Sequence, residues 1–235
     1  MHLNQVIKQL EALSNPEKVT LKAKKFGIHA NNSLGIYHQD LKGIAKEIGQ
    51  NNALALKLYD TGIYEARILC SKIYDPACIT EAQMNRWVAD FESWEICDSF
   101  CMGFFAKSQY ALPKAREWST AESEFVKRAG FVIMAAYGFA DKKADNAVFE
   151  AFFHPIEREA DDDRIYVKKA VNWALRNIGK RNIDLHQKAI AVAKQLLMTD
   201  SKSAKWIASN ALSELEKSDV NILDYPRHLY RPSKE

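Results

Sequence analysis

Residues 129–140 read Ala-Gly-Phe-Val-Ile-Met-Ala-Ala-Tyr-Gly-Phe-Ala, an uncharged apolar run of twelve held between Arg128 and Asp141. A helix that crosses a bilayer needs about 20 such residues, so this run predicts a helix buried in a protein core. On both sides of it apolar residues recur at three- and four-residue spacing through nearly the whole chain, and no clean alternating run exceeds about five residues. The fold class is therefore all-α. Predicted helices cover 2–13, 16–26, 38–49, 51–59, 63–74, 80–90, 92–106, 109–118, 120–139, 144–157, 164–179, 184–199 and 202–216. Asn15-Pro16 supplies a cap followed by proline at the first helical position, Thr80 precedes Glu81 and Gln83, and Thr120 precedes Glu122 and Ser123 in half a capping box.

Many short helices with brief turns and no low-complexity linker suggest antiparallel helix pairs stacked into an α-α superhelix, an α-solenoid. No strict repeat period is visible, so an irregular helical bundle stays open beside it. The 235 residues suffice for one helical-repeat domain over 1–235, with 216–235, which contains Pro226 and Pro232, as a less regular C-terminal extension.

Composition excludes other classes. Apolar residues make up 47% and glycine and proline number only 9 and 6, which rules out disorder, collagen and most turn-dense β folds. The start, Met-His-Leu-Asn-Gln, lacks a basic segment followed by an apolar one, so a cytoplasmic protein is expected. Four cysteines are too few for a disulfide framework and default to buried thiols. The net charge is only +3, yet residues 164–206 hold ten Lys and Arg against two Asp, while 141–163 hold eight acids against three bases. A basic segment of that density fits a phosphate-rich partner, and equally a solvated helix face.

Three segments could carry chemistry. In Asp90-Phe91-Glu92-Ser93-Trp94-Glu95-Ile96-Cys97-Asp98, Trp94 and Asp98 are four apart and share a helix face. A carboxylate beside an indole is costly if buried alone and useful in a cleft, though Trp packing and Asp pairing with a lysine would explain it as well. Lys127 and Arg128 open the apolar helix, where pairing with an acid is the default. In Val167–Arg176, Lys169, Trp173 and Arg176 fall on one face, an aromatic flanked by cations that suits a nucleic-acid backbone or a core Trp with solvated neighbours.

Together these segments resemble the AlkD-like DNA alkylation repair glycosylases, an all-helical family of HEAT-like repeats. The resemblance rests on Trp94, Asp98, Arg128 and Trp173 in register, with Leu34-Gly35-Ile36 and Lys168–Asn182 in support, over roughly residues 20–215. It implies a DNA glycosylase that excises cationic N3- or N7-alkylated purines from duplex DNA. Asp98 would stabilise the oxocarbenium and position water, and Trp94 and Trp173 would lie against sugar and backbone. Arg128 would clamp a phosphate, with Lys127, Lys168, Lys169, Arg176, Lys180 and Arg181 as further backbone contacts. The lesion would be handled while stacked in the duplex, without a snug base pocket. Departures are Ser93, where familiar members carry a second Trp, Cys97 just before the Asp, and Phe26 as a loose counterpart of an N-terminal aromatic.

No cofactor is expected. Cys97 and Cys101 with His29, His154 or His186 could be read as a metal site, but no second ligand pair at the right spacing accompanies them. A monomer is expected, because a groove that tracks a duplex must stay uncovered. The competing reading is a non-catalytic helical-repeat scaffold that binds DNA or a protein; a pure binder has reason to discard an acid such as Asp98 from a phosphate-binding face.

Overall fold

The computed structural model describes residues 1–232, which divide into two compact units, Met1–Ser108 and a second that begins at Gln109. The first contains α1 (Leu3–Ala12), α2 (Pro16–Phe26), α3 (His38–Ile48), α4 (Asn52–Asp60), α5 (Tyr64–Ile73), α6 (Glu81–Ala89) and α7 (Trp94–Gly103). The second contains α8 (Ala111–Trp118), α9 (Glu124–Ala140), α10 (Asn146–Glu150), α11 (Phe153–Arg158), α12 (Ile165–Gly179), α13 (Ile183–Leu197), α14 (Lys202–Leu215) and α15 (Arg227–Tyr230). No strand occurs among the described residues, and no helix there is long and apolar enough to cross a membrane.

In the first unit α5 is the central helix: all its residues except Lys72 are buried, and α3, α4 and α7 pack against it. In the second, α9 and α12 form the core pair, flanked by α8 and α14. The short connections within α4–α5, α8–α9 and α13–α14, each a packed pair, make these antiparallel neighbours. Gly130 lets α9 approach α8 closely, since a Cβ there would lie 2.6 Å from Ser119 N and 2.9 Å from the Ala115 carbonyl oxygen.

Two start signals hold as expected: the Asn15 side chain accepts from Lys18 N at 3.0 Å, and the Thr80 hydroxyl accepts from Gln83 N at 3.2 Å. Three expectations are corrected. Thr120 does not open α9; its hydroxyl donates to the Glu117 carbonyl at 2.8 Å and closes α8, and α9 begins at Glu124. The single helix expected over 92–106 starts at Trp94 and ends at Gly103. At Phe104 the backbone leaves the helical region, with φ −130° and ψ −71°, and Phe104 and Phe105 both lie fully buried beside Phe100. The helix expected over 144–157 breaks into α10 and α11, because Pro155 has no N–H for the Ala151 carbonyl and its ring would collide with it.

Beyond α14 the chain is irregular until α15 and is strapped to the α12–α13 junction. Leu223 N donates to the Lys180 carbonyl at 2.8 Å, and Tyr225 N to that of Arg181 at 2.9 Å. The last part of the expected extension, 233–235, lies outside the described residues.

Candidate active site and nucleic-acid interface

Ser93 sets where α7 begins: its backbone is extended, and its hydroxyl accepts from Ile96 N at 3.4 Å and lies 2.6 Å from the Tyr64 hydroxyl. Trp94 therefore occupies the first helical position and Asp98 the fifth, on one face, and both are half-buried. The Trp94 indole N–H donates to the Phe26 carbonyl oxygen at 2.9 Å, which fixes the ring against the C-terminal end of α2. Ile96, Cys97, Phe100 and Cys101 point into the core.

The residue that the sequence reading missed is Glu95. It is buried, yet Lys22 Nζ donates to it at 2.9 Å and the Tyr64 hydroxyl at 3.1 Å, and His38 Nε2 lies 3.5 Å away. Burial pushes the Glu95 carboxyl up, but the hydrogen bonds from His38 and Lys22 and the Lys22 charge outweigh it and hold the group below the ordinary glutamate range. Burial, followed by the Glu95 charge, pushes the Tyr64 phenol up. His38 also lies 3.4 Å from the Ser99 hydroxyl, next to Asp98. The first turn of α7 is thus pinned from α2, α3 and α5 at once.

A second missed carboxylate, Glu65, is fully buried and organises the Leu34-Gly35-Ile36 turn ahead of α3. It accepts from Leu34 N and Gly35 N at 2.8 Å each, from Ile36 N at 3.2 Å and from the Ser33 hydroxyl at 2.9 Å. Gly35 has φ +76°, and a Cβ there would sit 2.3 Å from the Asn15 carbonyl oxygen, so the turn requires glycine. The motif itself was the only legible trace of this arrangement.

In the second unit the expected cations have different surroundings. Lys169 is exposed, and Lys168 and Trp173 are half-buried on α12. Lys168 Nζ stands 5.2 Å from the Trp206 ring centroid. Arg176 and Lys180 both pair with Glu214, whose carboxyl burial pushes up and these hydrogen bonds bring below its ordinary range. Arg128 is 5% exposed and donates from Nη1 to the Tyr166 carbonyl at 2.6 Å.

Two expectations are corrected. Arg181 is not a surface contact: at 2% exposure it donates to the carbonyls of Gly138 at 2.9 Å, Asp141 at 3.2 Å and Ala144 at 2.8 Å, closing the end of α9. Its guanidinium also stacks 4.0 Å from the Phe149 ring. Lys127 is held between Glu159 and Asp162, the latter at 3.2 Å, and so is already neutralised. The reason is common to both. Each cation finds acceptors supplied by distant sequence, which local spacing does not reveal. Among the described residues no group of three or more His, Cys, Asp or Glu is arranged to hold a metal ion.

The chain is similar over 94% of its length, at 23% identity and a TM-score of 0.75, to a solved structure whose own chain is covered to 97%. That structure is described as belonging to "a new family of proteins related to the HEAT-like repeat DNA glycosylases with affinity for branched DNA structures". This likeness establishes a HEAT-like repeat fold. A designed armadillo repeat protein in complex with a (KR)4 peptide is matched more weakly, at 17% identity and a TM-score of 0.37, over 74% of this chain and 72% of that one. No curated protein matches the sequence. The family model for DNA alkylation repair enzymes matches residues 6–215, and the chain belongs to that family.

Proposed function

We propose that the protein is a DNA glycosylase that removes cationic N3- and N7-alkylated purines from duplex DNA by hydrolysing the N-glycosidic bond. The observation that carries this reading is the pairing of Trp94 and Asp98, one turn apart and half-buried on α7, in a member of the DNA alkylation repair family. The chemistry asks for few groups. Glycoside hydrolysis passes through an oxocarbenium-like sugar and ordinarily needs an acid for the leaving group. A purine alkylated at N3 or N7 is already cationic and leaves as a neutral base, so one carboxylate is enough. Asp98 stabilises the positive charge developing on the deoxyribose and orients the attacking water. At about 4 Å and an effective dielectric near 20 a charge pair is worth roughly 4 kcal/mol, on the order of a thousandfold in rate.

Trp94 lies against the sugar and keeps bulk solvent from it, leaving the one water that Asp98 orients, its ring held by the bond to Phe26. Trp173, Lys168 and Lys169 meet sugar and phosphate from α12. For Arg128 the reading requires the guanidinium to share its bond to Tyr166 with a phosphate. Arg176 and Lys180 reach a phosphate only in competition with Glu214. The protein works as a cytoplasmic monomer.

A second reading has one observation in its favour: the structural relative is described by its affinity for branched DNA. On that reading the chain binds DNA without excision. The two separate in single-turnover release of N7-methylguanine from a methylated duplex at saturating protein. The glycosylase reading expects Asp98→Asn to lose roughly two to three decades of rate with duplex affinity retained. Full activity in that variant removes Asp98 from the mechanism. Absence of release from either protein, with binding intact, establishes the second reading.

A further inference from the structure

The ten cations of residues 164–206 divide sharply. Arg181 is buried, and Arg164, Arg176, Lys180, Lys188 and Lys194 pair with Asp162, Glu214, Glu150 and Glu216. That leaves Lys168 and Lys169 on α12 and Lys202 and Lys205 on α14, which have no carboxylate partner among the described residues. The two helices are neighbours: Asn172 Nδ2 donates to the Ile207 carbonyl at 2.9 Å, and Lys168 reaches over Trp206. Helix α12 contains no acid, and the only acid of α14 is Glu214.

On α14, Lys202, Lys205, Trp206 and Ser209 follow one another at helical spacing and all are exposed. Trp206 keeps 39% of its surface in solvent. Over the chain as a whole, Lys and Arg number 12 against 12 Asp and Glu in the first unit and 21 against 18 in the second, so the entire positive excess belongs to the second. These four ammonium groups form no ion pair among the described residues, although Ser203 Oγ donates to the Asp162 carbonyl at 2.8 Å and brings the acidic 161–163 segment beside the start of α14; a polyanion that meets them releases its own counterions. An exposed indole among them offers a face for sugar or base.

We infer that the adjoining faces of α12 and α14 form a docking surface for the phosphodiester backbone of duplex DNA, with Lys202, Lys205 and Trp206 as contacts beyond those already proposed. The inference rests on the reading of this chain as a DNA-acting protein. It concerns binding to undamaged duplex and does not require excision.

The test is the salt dependence of binding to a short undamaged duplex, for the unsubstituted protein and two double variants. Lys202→Ala/Lys205→Ala removes the proposed contacts. Lys188→Ala/Lys194→Ala removes the same two charges from α13, where they are already paired. The slope of log affinity against log salt is expected to fall by about 2 in the first and to stay unchanged in the second, at about 0.9 per phosphate contact. Trp206→Ala is expected to weaken binding roughly tenfold without altering the slope. All these positions are exposed, and matching thermal unfolding establishes that each variant is folded. An unchanged slope in the first double variant overturns the surface, as do equal slope changes in both, which would reflect net charge alone. If excision persists while the slope is unaltered, only this surface falls; if the unsubstituted protein does not bind duplex at all, the DNA-acting reading falls with it.

Discussion

Lys22 Nζ lies 2.9 Å from Glu95 Oε2, across 73 residues of sequence, with 5% and 8% of the two side chains exposed. An ion pair this deep joins α2 to the first turn of α7, between Trp94 and Asp98, and it does so with help: the Lys22 ammonium also donates to the Ile36 carbonyl at 3.3 Å.

Breaking the pair from one side strands the other charge. Lys22→Met or Glu95→Leu should each cost about 3–5 kcal/mol, whereas Lys22→Met/Glu95→Leu should cost clearly less than their sum. Urea unfolding of the three variants measures this. Losses below about 1 kcal/mol, as at an exposed pair, would contradict the burial argument.

Stability should depend on acid in a definite direction. The Glu95, Glu159, Asp162 and Glu214 carboxyls all lie below their ordinary ranges in the folded protein, because hydrogen bonds from neighbouring cations outweigh the upward push of burial. The folded state therefore binds fewer protons than the unfolded one as the pH approaches the ordinary carboxyl values, near 4. Their contribution is complete above those values and is lost as pH falls through the depressed folded ones. Melting temperature followed from neutral pH down into the acid range should fall, and less steeply for Glu95→Gln. A melting temperature independent of pH there would refute the assignment.

Trp94→Phe keeps a ring but removes the donor to the Phe26 carbonyl. The expected loss of stability is about 1 kcal/mol, the net worth of one hydrogen bond, read from denaturant midpoints at constant m-value. No change at all would mean that water replaces the indole N–H, and that the ring is not fixed by this bond.

Arg181 separates structure from binding. Arg181→Met leaves three carbonyls without their donor and should destabilise by at least about 3 kcal/mol. Below its melting temperature, the folded variant should keep the duplex affinity and salt slope of the original. Lys169→Ala should do the reverse, preserving stability while lowering the slope by about 1. A loss of affinity in folded Arg181→Met would return that residue to the interface.

Much of the architecture was legible because helices are written locally. Asn15-Pro16, Thr80 and the three- and four-residue apolar spacing place most helix ends within a few residues. Trp94 and Asp98 were legible for the same reason, since four residues make one turn wherever the helix lies. The breaks at Phe104 and before Pro155 were missed: the first depends on an aromatic cluster assembled from several helices, and the second is a local proline signal overridden by apolar periodicity.

The sequence alone determined the helical class, the spacing of Trp94 and Asp98, and the concentration of cations in 164–206. Tertiary structure decided which charges remain available. Glu214 pairs with Arg176 and Lys180, the end of α9 takes Arg181, and Glu95 is drawn inside by Lys22, Tyr64 and His38. The physical reason is range: backbone periodicity and caps act over three or four residues, whereas an ion pair or a desolvated carboxylate depends on partners that only folding brings within 4 Å.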